Sequence, residues 1–178
     1  MKLYEKTLTQ KRVFTGHLIN VRQDVVELPD GREAGREVIE HPGGVCVAAQ
    51  LDSGEFIVVD QYRYGVKAQS TEFPAGKLEL NEDPEQAILR ELEEETGYIT
   101  HHLVPMGYLD PSPAYLSERI YLYYADHLEY KGQHLDEGEL LNVRHESLTA
   151  LHQQILENTL HDAKTIALVL KVKALLSQ

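Results

Sequence analysis

Apolar positions along the chain change their period from one stretch to the next. Across residues 16–28, valine and isoleucine partly alternate with polar residues, a period of two that predicts strand. Pro29-Asp30-Gly31 supplies a turn and residues 36–39 begin a return strand, so the first forty residues read as strands. Residues 45–51 and 56–62 are denser apolar runs around Asp52-Ser53-Gly54, which predicts a second hairpin. Glu72-Phe73-Pro74-Ala75-Gly76 is a short extended piece broken by proline and glycine. A helix follows, with Asp83 as its cap, Pro84 at the first helical position and Gly97 closing it.

Strand patterning returns over residues 103–109, 119–125 and 140–145. Two helices are predicted after that, over residues 148–157 and 162–176. The second has Asp162 as a cap and Ile166, Leu170 and Leu175 among its apolar positions. Strands and helices mix without regular βαβ alternation. The expected class is therefore α+β, or a three-layer mixed arrangement.

A length of 178 residues suits one domain with its own core. Met1-Lys2-Leu3-Tyr4-Glu5-Lys6 lacks the apolar run of a secretion signal, and charges punctuate every later apolar run. A cytoplasmic protein without a membrane partner is the expectation. Cys46 is the single cysteine, which excludes an intrachain disulfide. Its apolar neighbours make it a small core residue rather than a nucleophile. The nine histidines show no zinc-like spacing and read as surface or core residues. The formal net charge of -12 argues against nucleic acid as a partner, since phosphate contacts need clustered lysine and arginine. A bound cation reverses that logic locally.

Acidic residues gather in the first of the helices. Glu91, Glu94 and Glu95 stand at i, i+3 and i+4 and share one face, while Ile88, Leu89 and Leu92 can anchor a neighbouring arc. Carboxylates on one turn, away from the helix N-terminus, repel one another unless a cation neutralises them. Hard oxygen donors of this kind suit Mg²⁺ or Mn²⁺. The helix alone fits a solvated acidic face equally well. Gly76, which opens a loop leading back to the helix, and the Ala75 carbonyl beside it favour the cation site.

These residues resemble the Nudix box, G-x5-E-x7-R-E-U-x-E-E-x-G-U, where U is bulky and aliphatic. Gly76, Glu82, Arg90, Glu91, Leu92, Glu94, Glu95 and Gly97 match its fixed positions in order, and Tyr98 replaces the final aliphatic residue. The resemblance implies a Nudix fold: a three-layer αβα sandwich with a mixed sheet, preceded by an N-terminal antiparallel strand region. Ser112-Pro113-Ala114-Tyr115 is similar to the Ser-Pro-Gly-aromatic stretch of ADP-ribose pyrophosphatases, with Ala114 in place of glycine. Arg36-Glu37-Val38, His41-Pro42-Gly43, Gln61-Tyr62-Arg63, Glu72 to Lys77 and Asp162-Ala163-Lys164-Thr165 look like the same subfamily. On that resemblance, residues 1–42 form a dimerisation region of a homodimer and 43–178 the Nudix domain.

The implied reaction is hydrolysis of the pyrophosphate of a nucleoside diphosphate sugar, ADP-ribose to AMP and ribose 5-phosphate. Glu91, Glu94, Glu95 and the Ala75 carbonyl are the expected metal ligands, with Arg90 orienting them and Glu82 outside them. The general base is expected on the loop Leu135-Asp136-Glu137-Gly138-Glu139-Leu140, where Glu139 and Glu137 are both candidates. Arg63 is the candidate phosphate clamp, since a guanidinium fork suits phosphate oxygens. Arg36, Glu72 and Pro113 are expected near the nucleoside or ribose. GDP-mannose, NADH or a dinucleoside polyphosphate are the rival substrates. A Nudix-fold module that binds a metabolite without catalysis is the rival class, and such modules typically lose box carboxylates.

Overall fold

The N-terminal strand pattern folds into a three-stranded antiparallel sheet in the computed structural model, which describes residues 3–135, 138 and 140–177. β1 (Lys6–Thr15) pairs with β2 (Asn20–Glu27), and β2 pairs with β3 (Glu33–Glu40). Register shifts between Thr7 and Thr9 and between Arg12 and Phe14 interrupt the β1–β2 ladder. Alternation along β2 is partial because Asp24 lies buried beside Val26, its carboxylate held by Arg22 Nε at 2.8 and 3.1 Å. The sheet belongs to a compact unit of Met1–Gly43 with Asp110–Arg119. Within it, the Ile39 N–H donates to the Tyr115 carbonyl at 2.7 Å, and the Ser117 N–H to the Ile39 carbonyl at 2.9 Å.

A second unit, Gly44–Leu109 with Ile120–Gln178, holds the other elements. In chain order they are β4 (Gly44–Ala49), β5 (Phe56–Arg63), β6 (Ala68–Glu72), β7 (Ala75–Lys77), α1 (Pro84–Thr96), β8 (Tyr98–Ile99) and β9 (His102–Leu109). β10 (Ile120–Asp126), β11 (Glu129–Tyr130), β12 (Leu141–Glu146), α2 (Leu148–Leu156) and α3 (Ala163–Leu176) complete it. One sheet runs β7-β4-β10-β9, with β4 and β10 parallel and the outer pairs antiparallel. A second runs β12-β5-β6, and β11 pairs with β8.

The period of two along β4 sorts its side chains into different cores. Cys46 and Ala48 pack with Phe56, Phe73 and Leu122 beneath Leu151 of α2 and Leu168, Val169 and Val172 of α3. Val45, Val47 and Ala49 pack with Ile57 and Tyr123 against Ala87, Ile88 and Leu92 of α1. Every residue of β4 is buried because a helix layer covers each face, and this is the expected three-layer αβα arrangement.

The hairpin expected from residues 45–62 does not form as a ladder. Its turn closes as predicted: the Leu51 N–H donates to the Glu55 carbonyl and the Gly54 N–H to the Leu51 carbonyl, both at 2.8 Å, with Gly54 at φ 88°. Beyond a single Gln50–Phe56 bridge the strands part. β4 is claimed by β10 and β7, β5 by β12 and β6, so each runs through the middle of its own sheet. The turn signal was local and correct, whereas the partners come from distant sequence. No helix of the described residues is long and apolar enough to cross a membrane.

Candidate active site

α1 is fixed at both ends by the residues that predicted it. Asp83 Oδ1 accepts the Glu85 and Gln86 N–H groups at 3.0 and 3.3 Å. Gly97 takes the left-handed conformation at φ 77° and returns its N–H to the Glu93 carbonyl. Ala87, Ile88 and Leu92 bury one face of the helix, which turns its carboxylates toward the loop from β7. Tyr98, the departure from the aliphatic pattern, packs against the core on the α1 side and meets the Tyr130 ring edge-on at 5.2 Å.

β7 approaches the helix closely. A Cβ on Gly76 would sit 1.8 Å from the Glu91 carboxyl carbon, so only a glycine lets that carboxylate lie against the backbone. One residue earlier, the Ala75 N–H donates to Glu95 Oε2 at 3.0 Å, and Glu95 is 3% exposed. The last turn of α1 is thereby tied to the first residue of β7.

Arg90 sits among the carboxylates. Its Nε reaches Glu82 Oε1 at 3.0 Å, and one terminal nitrogen reaches Glu94 Oε2 at 2.8 Å and Glu91 Oε1 at 3.0 Å. The hydrogen bond to Glu82 is the main reason the Arg90 pKa is raised, and the same bond lowers that of the Glu82 carboxyl. Three carboxylates (Glu82, Glu91 and Glu94) thus meet one guanidinium, with Glu95 next along the same turn of α1, leaving a surplus of negative charge. A set of hard oxygen donors on one turn of α1, packed against the backbone at Gly76, fits a divalent cation such as Mg²⁺.

A second charged group lies under β6 and β7. Arg63 grips Glu72 with two parallel bonds of 2.7 and 2.6 Å, and Lys164 Nζ donates to Glu72 Oε2 and, at 2.9 Å, to Asp162 Oδ1. Glu72 is 1% exposed. Burial alone raises its pKa, but Arg63 and Lys164 outweigh burial and lower it to about 2. Arg63 keeps 45% of its side chain exposed.

The remaining expected residues are differently placed. Arg36, on β3, pairs with Glu5 at 2.9 and 2.5 Å. Pro113 stands in a turn where the Tyr115 and Leu116 N–H groups donate to the Ser112 carbonyl. Glu137 and Glu139 lie outside the described residues. The chain just before them runs along the end of α1: the Lys131 N–H donates to the Gly97 carbonyl at 2.7 Å and the His134 N–H to the Glu94 carbonyl at 3.1 Å.

Sequence reasoning did not pair Lys164 with Glu72, because that acceptor is 92 residues away. A lysine in the first turn of α3, directly after its Asp162 cap, was the available signal. It also found no zinc-like spacing among the histidines, whereas the β9–β10 register sets His102 opposite Asp126. With His127 they form, among the described residues, a group whose ligand atoms lie within 4.8 Å of one another on an exposed surface.

The Nudix domain family matches residues 40–169, and the nucleoside diphosphate sugar hydrolase N-terminal domain matches residues 5–39. The chain belongs to the Nudix family. It is 38% identical to an ADP-ribose pyrophosphatase of Bacillus subtilis, over 92% of this chain and 89% of that protein. It is 39% identical to a methanol dehydrogenase activator of Bacillus methanolicus, over 94% and 92% of the two chains. A crystal structure of an ADP compounds hydrolase superposes with a TM-score of 0.87 at 21% identity, covering 99% of this chain and 97% of that one.

Proposed function

We propose that the protein is a divalent-metal-dependent pyrophosphohydrolase of nucleoside diphosphate sugars, cleaving ADP-ribose to AMP and ribose 5-phosphate, as a homodimer of the cytoplasm. The observation that carries this reading is the surplus of carboxylates between Gly76 and Glu95, built against a glycine that no other residue can replace without displacing Glu91. Family membership and the Bacillus subtilis relative support the reaction class.

Glu91, Glu94, Glu95 and the Ala75 carbonyl hold Mg²⁺, with Mn²⁺ as an alternative. When bound, such ions offset the charge on the phosphate oxygens and acidify a coordinated water. Arg90 keeps Glu91 and Glu94 in position, and Glu82 holds Arg90 from outside. Arg63, fixed through Glu72, presents its exposed edge to a phosphate. Glu72 itself is too buried to meet the ribose and serves by holding Arg63. Arg36 and Pro113 contact the nucleoside or ribose, Arg36 from the N-terminal strand region that pairs the subunits. Glu139 or Glu137 takes the proton from the attacking water.

The Bacillus methanolicus relative favours a second reading, in which the same site serves to activate a partner dehydrogenase. A panel of ADP-ribose, GDP-mannose, NADH and a dinucleoside polyphosphate, with and without Mg²⁺, separates the possibilities. Mg²⁺-dependent release of AMP, fastest from ADP-ribose, is expected. Absence of hydrolysis of any of them removes the hydrolase reading.

A further inference from the structure

The buried group around Lys164 has so far served only to hold Arg63, yet it grips the strand that enters the metal site. Asp162 caps α3, and its Oδ2 accepts both the N–H and the hydroxyl of Thr165, at 2.9 and 2.6 Å. With its hydrogen committed there, Thr165 Oγ1 turns a lone pair to the Phe73 N–H at 2.8 Å. Lys164 reaches Glu72, one residue earlier. Consecutive residues of α3 therefore hold consecutive residues of the chain. Pro74 follows with a fixed φ, its carbonyl accepting the Val47 N–H at 3.0 Å. The next residue is Ala75, whose N–H meets Glu95.

Burial makes this relay stiff. Phe73 and Thr165 are both 0% exposed, so the Phe73 N–H has no water to turn to when its acceptor is lost. Its recovery requires the backbone of residues 72–74 to shift, and any such shift arrives at Ala75.

We propose that the first turn of α3 positions the cation site, with Thr165 as the positioning residue that sets the Ala75 carbonyl and, through the Ala75 N–H, the Glu95 carboxylate. This rests on the metal-dependent reading given above. Thr165 touches neither cation nor substrate and acts wholly through Phe73 to Ala75.

The test is Mn²⁺ affinity of the full chain without substrate, measured by calorimetry for wild type, Thr165→Val, Thr165→Ser and Glu95→Gln, each with its thermal midpoint. Thr165→Val keeps the shape and removes the acceptor, so its Mn²⁺ Kd should rise about tenfold. Thr165→Ser keeps the hydroxyl and should bind as wild type does. Thr165→Ala carries the same expectation should the valine methyl prevent folding. A structural role alone would lower the midpoint without moving the Kd. Wild-type Mn²⁺ affinity in folded Thr165→Val, when Glu95→Gln has lost binding, overturns the positioning proposal and leaves the function standing. A wild type with no Mn²⁺ binding that depends on Glu95 removes both.

Discussion

Arg90 and Lys164 each gather carboxylates, but under opposite conditions of charge and solvent. Around Lys164 the count balances, with Glu72 and Asp162 against Lys164 and Arg63. Around Arg90 it does not: Glu82, Glu91 and Glu94 meet one guanidinium, and Glu95 follows on the same turn of α1. The heart of the balanced group is sealed, the Lys164 and Glu72 side chains being 10% and 2% exposed, while Arg63 at its edge keeps 45% exposed. The unbalanced one is partly open, with Glu94 33% and Arg90 31% exposed. A buried pair must neutralise itself, because an uncompensated charge in the interior is costly. A half-open acidic group can leave its neutralisation to an ion from solution. One cluster is thus suited to holding the fold, the other to chemistry, and substitutions should separate stability from turnover.

The widest separation is expected at Glu95 and Lys164. Glu95→Gln keeps the shape and an acceptor for the Ala75 N–H but removes a charge from the cation site. ADP-ribose turnover should fall on the order of 10³-fold, several kcal/mol of barrier, with the fold retained. Initial rates at saturating Mg²⁺, beside a thermal melt, check it. Wild-type turnover would show that the acidic surplus is not the working part. Lys164→Met should behave the other way: it leaves Glu72 and Asp162 facing Arg63 alone in a buried setting. A loss of about 3–5 kcal/mol of stability is expected in a urea titration. A variant as stable as wild type would mean that water or Arg63 already satisfies those carboxylates.

How much of this contrast could be read beforehand depended on sequence distance. α1 was legible from end to end, because Asp83, Pro84 and Gly97 act on their immediate neighbours and the i, i+3, i+4 spacing of Glu91, Glu94 and Glu95 fixes a shared face. Gly76 marked the return of the chain toward the helix, although not the side chain that would lie against it. The balanced cluster was hidden. Glu72 is a carboxylate in a short extended segment, and its cations lie 9 and 92 residues away. Periodicity speaks of which face is buried and not of which charges meet there. The same limit explains β4 and β5, whose turn was correctly read and whose partners were not.

Acid should expose the balanced cluster next. The Glu72 carboxyl is lowered from an ordinary value of 4.5 to about 2 by Arg63 and Lys164 against the opposing effect of burial. A carboxylate more acidic in the folded state stabilises fully above its unfolded pKa. That stabilisation drains as pH falls through the folded one. Glu72 therefore contributes roughly 3 kcal/mol at neutral pH, lost between about pH 4.5 and 2. Urea titrations stepped through that window should show the fall in wild type and a much shallower one in Lys164→Met, where Glu72 keeps only Arg63. Parallel slopes would mean that Lys164 does not hold Glu72 ionised.

The smallest effect is expected at Glu82, the carboxylate of the unbalanced cluster that precedes α1. It accepts the Glu79 N–H at 2.8 Å and two nitrogens of Arg90 at 3.0 and 3.2 Å, so it braces Arg90 from the turn before α1. Glu82→Gln retains an acceptor for both partners and removes only the charge, which costs under about 1 kcal/mol of stability for a pair this near the surface. Turnover should respond more than stability, since Arg90 loses part of its anchorage and with it the fixed positions of Glu91 and Glu94. A decrease of about tenfold, relieved in part by higher Mg²⁺, is the expected signature. If Glu82→Gln instead destabilises the fold strongly and leaves the rate unchanged, the Arg90 group belongs with the structural cluster, and the division between the two fails.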